Sequence, residues 1–319
     1  MSELTSILVT GASGFVGSYL IRELRRQGFS RAIGAVRTQK TAVGDNSVVV
    51  GGIDETTDWS SALEDMDVVI HTAARAHIIN DDAPDPLSEF RKVNVAGTRS
   101  LVSQAASSGV KRFIFISSIK VIGEQSSLGN PFNAASRPMP GDGYGLSKLE
   151  AEEALWEVSS QSDMELVIIR PPLIYGLGVK GNFASMIRMV EKGIPLPLGA
   201  IHNKRSLVAV ENLIDLIITC IEHPAAVNEV FLVSDGEDLS TSDLLRRVAA
   251  AMGKPSRLIP VPVSLLQFGA TVLGKKTIAQ RLLGSLQVDI SKTRSVLGWA
   301  PPLSVDEGLL RCFIDNRDR

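Results

Sequence analysis

Tyr144 and Lys148 stand four residues apart in Tyr-Gly-Leu-Ser-Lys, and the chain continues Leu149-Glu150-Ala151-Glu152-Glu153. On a helix this spacing puts phenol and ammonium on one face. The ammonium favours phenolate, which draws the tyrosine below its ordinary pKa of about 10 toward a range useful for proton transfer. Upstream, the apolar run Ile114-Phe115-Ile116 ends in Ser117-Ser118. A hydroxyl at the end of such a strand can hold a carbonyl oxygen against Tyr144, which makes Ser118, Tyr144 and Lys148 the candidate catalytic set. The plain alternatives are a tyrosine and lysine that merely share a helix, and a serine that satisfies its own turn.

A second group is Thr10-Gly11-Ala12-Ser13-Gly14-Phe15-Val16-Gly17, which follows the short apolar run Ile7-Leu8-Val9 and opens an amphipathic stretch. Between a strand and a helix, Gly11 permits a tight turn, Gly14 clears room for a pyrophosphate, and Gly17 lets helix and strand pack closely. The helix N-terminus around Ser13, Phe15 and Val16 offers N–H groups and positive dipole to an anion, so the expected ligand is a dinucleotide. A ligand-free glycine turn is the alternative. In folds of this kind an acid at the end of the second strand holds the ribose, but here the stretch reads Gly34-Ala35-Val36-Arg37-Thr38. Arg37 suits a 2′-phosphate, which favours NADP(H) over NAD(H), unless it is only a solvated surface charge.

These groups need a scaffold that brings strand ends together. Apolar runs at 7–9, 32–36, 47–50, 68–70, 113–116 and 166–169 alternate with helical stretches, among them Val93 to Ser107. This predicts an α/β fold with a doubly wound parallel sheet covered on both faces. After Arg170 the prolines and glycines multiply, and helices are expected at 183–192, 207–222, 242–252 and 305–313, with a strand at 230–233. The reading is a dinucleotide domain over 1–170 and a smaller, partly interleaved substrate domain over 171–319, with 205–222 packing back on the first. The apolar stretch Leu265 to Leu286, with Lys275, Lys276 and Arg281 and three interrupting glycines, is expected to serve as a substrate lid or packing element rather than a lipid contact.

Composition narrows the partners. A net charge of -2 gives no broad positive field for nucleic acid. Two cysteines without CxxC pairing and four scattered histidines give no metal-ligand spacing, so no metal is expected. The opening Met1-Ser2-Glu3-Leu4-Thr5-Ser6 carries no export signal and no apolar run reaches the length of a span, so a cytoplasmic protein without stable membrane insertion is expected.

With Gly11/Gly14/Gly17, Ser118 and Tyr144/Lys148 in this order, the chain resembles the extended short-chain dehydrogenase/reductases, in particular the nucleotide-sugar epimerases, dehydratases and 4-ketoreductases. The resemblance covers nearly the whole length. It includes His71-Thr72-Ala73-Ala74, Asn94 in Val93-Asn94-Val95-Ala96-Gly97-Thr98, and Arg170-Pro171-Pro172-Leu173-Ile174-Tyr175-Gly176. It implies that Ile53, Thr72, Ala73, Ala74, Asn94 and Pro171 border the cofactor together with Tyr144 and Lys148. It also implies that Asn182 and Arg205 hold a nucleotide diphosphate and that the Pro195-Leu196-Pro197-Leu198-Gly199 loop reads uracil through its backbone. Arg205 in a salt bridge between domains is the alternative. Two positions depart from the family pattern, Ile122 where a tyrosine is usual and Lys120 where a hydroxyl is usual. No Asp-Glu pair follows Ser118, which counts against dehydration.

The expected activity is NAD(P)H-dependent reduction of the C4 ketone of a UDP-4-keto-6-deoxy-hexosamine, most like bacterial UDP-N-acetyl-quinovosamine-type reductases of surface-polysaccharide synthesis. The competitor is an NAD-dependent UDP-sugar 4-epimerase. A non-catalytic NADP(H)-sensing protein stands as a third reading, and a homodimer is a possible assembly.

Overall fold

The computed structural model describes residues 5–42, 46–76 and 84–314, with backbone alone at 277 and 278. Residues 1–4, part of the segment read for an export signal, lie outside them.

The first half alternates strand and helix: β1 (Ile7–Thr10), α1 (Phe15–Arg26), β2 (Ala32–Val36), β3 (Ser47–Val49), α2 (Ser60–Leu63), β4 (Val68–His71), α3 (Pro86–Phe90), α4 (Gly97–Ser107), β5 (Arg112–Ile116), α5 (Gly143–Ser159) and β6 (Glu165–Arg170). Then follow β7 (Leu173–Tyr175), α6 (Asn182–Glu191), β8 (Arg205–Ala209), α7 (Val210–Glu222), β9 (Glu229–Leu232), β10 (Asp238–Leu239), α8 (Thr241–Ala251), α9 (Val263–Val272), α10 (Lys276–Leu283), α11 (Ser291–Leu297) and α12 (Val305–Arg311). Seven strands form one parallel sheet in the order β3-β2-β1-β4-β5-β6-β9, a Rossmann-type doubly wound arrangement. A second sheet has the order β10-β8-β7.

Successive residues of each central strand feed opposite cores, because side chains alternate across a strand. Ile7, Val9, Val68, Ile70, Ile114 and Val167 pack with Leu20, Ile21 and Leu24 of α1 and with Leu213, Leu216, Ile217 and Ile221 of α7. Leu8, Val69, Phe113, Phe115, Leu166 and Ile168 pack with Leu101, Val102 and Ala105 of α4 and with Ala151 and Leu155 of α5. Apolar residues on both faces explain why these strands read as continuous hydrophobic runs. A third core joins Tyr175, Phe183 and Met186 to Leu244, Leu245 and Val248 of α8 and Leu309 of α12.

Two local expectations are corrected. The helix predicted over 207–222 begins at Val210, and its first residues belong to β8, whose Leu207, Val208 and Ala209 pair with β7. The helix predicted over 93–107 is divided: Arg91–Ala96 winds as a π-helix before α4 starts at Gly97. In the stretch predicted as lid or packing, Leu265, Phe268, Val272 and Leu273 remain exposed, so packing is not the role of that face. Among the described residues no helix is long and apolar enough to cross a membrane.

Candidate active site

β1 and β4 are neighbours at the point where the chain turns from building one half of the sheet to the other, the switch point beyond whose carboxyl strand ends doubly wound folds form their ligand crevice. Gly11 lies there with φ +66, and a Cβ on it would come within 2.8 Å of the Ala73 backbone and 3.0 Å of Thr72 Oγ1. Thr72 Oγ1 donates to Thr10 O at 2.6 Å, which fastens the two turns together. Gly14 caps α1, Gly17 is buried in its first turn, and Phe15 and Val16 are half-buried. The first turn of α1 carries no acid and the last carries Arg25 and Arg26, so the charged side chains complement the dipole and leave its positive end to a ligand. Ser13 and Gly14 are exposed at that end, with Ala74 exposed across the crevice. A left-handed glycine against a neighbouring backbone, followed by an acid-free helix start, fits a dinucleotide pyrophosphate. Arg37 is exposed one residue beyond β2, whose Ala35 pairs with Thr10, and Ile53 is half-buried against the α4 side of the sheet.

Asp142 caps α5 by accepting the Gly145 N–H at 2.7 Å. A Cβ on Gly145 would stand 2.7 Å from Lys120 O, so the helix start bearing Tyr144 is pressed on the short 3₁₀ turn Ile119–Val121 that follows Ser118. The turn is anchored from below by Ile119 N–H, which donates to Pro171 O at 2.9 Å. Ser118 is half-buried and its Oγ accepts from Lys120 N–H at 3.2 Å. Tyr144 meets the ring of Phe90 edge-on, with centroids 6.1 Å apart. Lys148 is 1% exposed, and its Nζ lies 3.8 Å from the centroid of the Phe115 ring.

The electrostatics correct the expectation that the lysine draws the phenol down. Burial, with the Asp142 charge adding to it, pushes Tyr144 up to about 12. Burial likewise pushes Lys148 down to about 7, against the pull of Glu152. Removal from water disfavours charge on both groups. The resting phenol therefore holds its proton.

Beneath the pair lie Asn94, which the resemblance set beside the cofactor, and Glu152, whose role sequence reasoning missed. Asn94, 2% exposed in the π-helix, accepts Arg75 N–H at 2.8 Å and donates to Arg75 O at 3.1 Å and to Ser147 Oγ at 3.0 Å. Ser147 Oγ donates to Tyr144 O at 2.8 Å. Asn94 thus spends its amide on tying the segment after β4 to the helix of Tyr144. Glu152, one turn beyond Lys148, is buried, accepts from Ser117 Oγ and pairs with Arg170, whose Nε lies 3.0 Å from its Oε1. The Tyr-x₃-Lys-x₃-Glu spacing was the available signal. His71 is sealed between Thr10 Oγ1 at 2.6 Å and Thr98 Oγ1 at 3.0 Å, and burial, then the Lys148 charge, pushes it down to about 3.

The side expected to bind substrate is more mixed. Asn182 is exposed at the start of α6. Arg205 donates to Gly284 O at 3.0 Å and feels Glu124, while burial pushes its guanidinium below its ordinary value. Glu124 in turn pairs with Lys120 at 3.0 Å, which places Arg205 in the electrostatic neighbourhood of the turn after Ser118. The Leu196 backbone is engaged within the protein: its N–H donates to Arg257 O at 2.9 Å and its carbonyl accepts Ile259 N–H at 2.8 Å, which leaves one carbonyl lone pair for a ligand. Leu196 forms an isolated parallel bridge with Leu258, and Pro197 after it favours the extended backbone that this needs. Among the described residues no cluster of potential metal ligands occurs.

Residues 7–234 match the model of the NAD dependent epimerase/dehydratase family. The chain is 50% identical over 304 residues to a UDP-glucose 4-epimerase of Vibrio cholerae, covering 95% of this chain and 93% of that protein. It is 29% identical over 326 residues to the N-acetyl-alpha-D-glucosaminyl-diphospho-ditrans,octacis-undecaprenol 4-epimerase of Escherichia coli O157:H7, covering 96% and 93%. In fold it is similar to the Bacillus cereus UDP-glucuronic acid 4-epimerase solved with NAD, at 22% identity and a TM-score of 0.77, with 96% of this chain and 97% of that one covered. With the glycine turn, the serine turn and the Tyr144 helix assembled at one sheet edge, the chain belongs to the NAD dependent epimerase/dehydratase family of enzymes.

Proposed function

We propose that the enzyme carries out oxidation and reduction at C4 of a UDP-linked hexose and that its net reaction is 4-epimerisation. The observation that carries this is the packing of the Tyr144 helix start on the turn after Ser118, with the phenol held protonated. NAD(P) when bound supplies hydride exchange at the sugar carbon. Gly11, Ser13, Gly14 and the start of α1 would hold its pyrophosphate, with Thr72, Ala73 and Ala74 beside them and Arg37 and Ile53 toward the adenosine. Ser118 orients the C4 oxygen, and Tyr144 gives a proton to that oxygen when it is a ketone and takes one when it is an alcohol. Lys148 sits one helical turn behind to steady the cofactor ribose, and Asn182 and Arg205 take the diphosphate. A phenol placed on the turn after Ser118 is a proton donor that a mere cofactor sensor has no use for.

A second reading, one-way reduction of a 4-keto sugar, is favoured by Arg37, an exposed cation at the end of β2 where an acid would hold the ribose of NAD. One preparation separates the two. A chain that carries NAD⁺ through purification and interconverts UDP-glucose and UDP-galactose without added nucleotide is the epimerase. A chain without bound nucleotide that consumes NADPH only with a UDP-4-keto sugar is the reductase. Turnover with neither overturns both.

A further inference from the structure

On α9, Val263 and Leu266 pack inward against the third core, whereas Leu265, Phe268 and Val272 share the opposite face at helical spacing. They are 60%, 70% and 69% exposed, and Leu273 just beyond is 71% exposed. Apolar side chains of this size gathered on one exposed face mark a contact site. The charge around them is as unusual. Between Val248 and Val288 the chain has five Lys or Arg and no Asp or Glu, although the whole protein carries -2. Two of these, Lys275 and Lys276, follow the apolar face directly and are exposed.

We propose that the α9–α10 hairpin docks the enzyme on an anionic lipid bilayer, with the α9 face entering the headgroup region and the lysines meeting lipid phosphates. An apolar stripe with adjoining lysines is the design of an interfacial helix, whose binding combines buried apolar area with attraction to anionic lipid. A second copy of the chain is the less favoured occupant, because a two-fold contact through this face would bring basic segments without acids against each other. The hairpin is rooted at the substrate side of the active site: Gly284, just after α10, accepts from Arg205, and the charge of Arg281 reaches Asp142. Docking would therefore hold the site beside the membrane without inserting the chain across it.

The test is co-sedimentation of the full-length enzyme with phosphatidylglycerol-containing and phosphatidylcholine-only vesicles, at low and high salt, alongside its mass in solution. Expected is sedimentation with the anionic vesicles that falls to the vesicle-free level in Leu265→Glu/Phe268→Glu and drops severalfold in Lys275→Glu/Lys276→Glu or in high salt. Unfolding temperature and activity on soluble substrate, unchanged in both variants, exclude a folding defect. Three results overturn the proposal: no sedimentation with anionic vesicles, equal binding to both vesicle types, or a dimer that Phe268→Glu converts to monomer.

Discussion

Lys120 and Asp142 are joined by an ion pair that reaches from the turn after Ser118 to the cap of the helix bearing Tyr144. Burial works to raise the Asp142 carboxyl, yet hydrogen bonds from Lys120 and the Gly145 N–H, with the charges of Lys120 and Arg281, hold it below the ordinary range. The same carboxylate pushes Tyr144 up, so Lys120 partly neutralises the charge that opposes phenolate. Lys120→Met is expected to lower kcat roughly tenfold and to move the basic limb of the pH profile upward, with KM little changed. A profile that superimposes on that of the wild type would show the pair to be remote from the chemistry.

Asn94 makes the second prediction. Asn94→Ala removes three hydrogen bonds at a buried position and leaves the Arg75 backbone and Ser147 to find other partners. Thermal unfolding is expected to show a loss of about 1–3 kcal/mol, with kcat falling more than the affinity for UDP. A stability equal to that of the wild type would contradict the bridging role.

The burial of Lys148 has a pH signature. Its folded pKa near 7 lies below the unfolded value of 10.5, so between these limits the unfolded chain binds a proton that the folded chain lacks. Stability contributed by this residue therefore rises with pH across that window, and below it the folded chain bears the full cost of the buried charge. Lys148→Met is expected to stabilise the protein, by more at pH 6 than at pH 10, while abolishing turnover. Urea unfolding over a pH series checks this, and a variant less stable than wild type at pH 6 would refute it.

Arg37 is the residue on which the proposed preference for NADP(H) rests. Exchange for aspartate removes a charge-assisted contact with a 2′-phosphate and offers an acceptor to a ribose hydroxyl, so the ratio of NADPH to NADH affinity is expected to fall about 10- to 100-fold. Titration of both nucleotides into wild type and Arg37→Asp measures it. An unchanged ratio would return Arg37 to the solvated surface.

The parts legible in the sequence were those set by local pattern. Gly11 announced its turn because only glycine adopts that backbone cheaply, and the runs of β1, β4, β5 and β6 announced a sheet covered on both faces. The parts that were not legible depend on contacts distant in sequence. The strand at 205–209 was hidden because Leu207 and Val208 fit the period of the helix that follows, and only pairing with β7 decides the matter. The Leu196 loop could not reveal that its backbone is engaged by 257–259. The pKa of Tyr144 was misjudged because the spacing to Lys148 is written in the sequence, whereas the burial of both groups is not.

The central claim is that Tyr144 moves the proton at the C4 oxygen of a UDP-linked sugar. Its most direct test is the interconversion of UDP-glucose and UDP-galactose by Tyr144→Phe beside wild type, with UDP affinity measured on both. Wild type is expected to turn over, and the variant to lose about 10²- to 10⁴-fold in kcat at equal UDP affinity. A phenylalanine variant that turns over at the wild-type rate would contradict it.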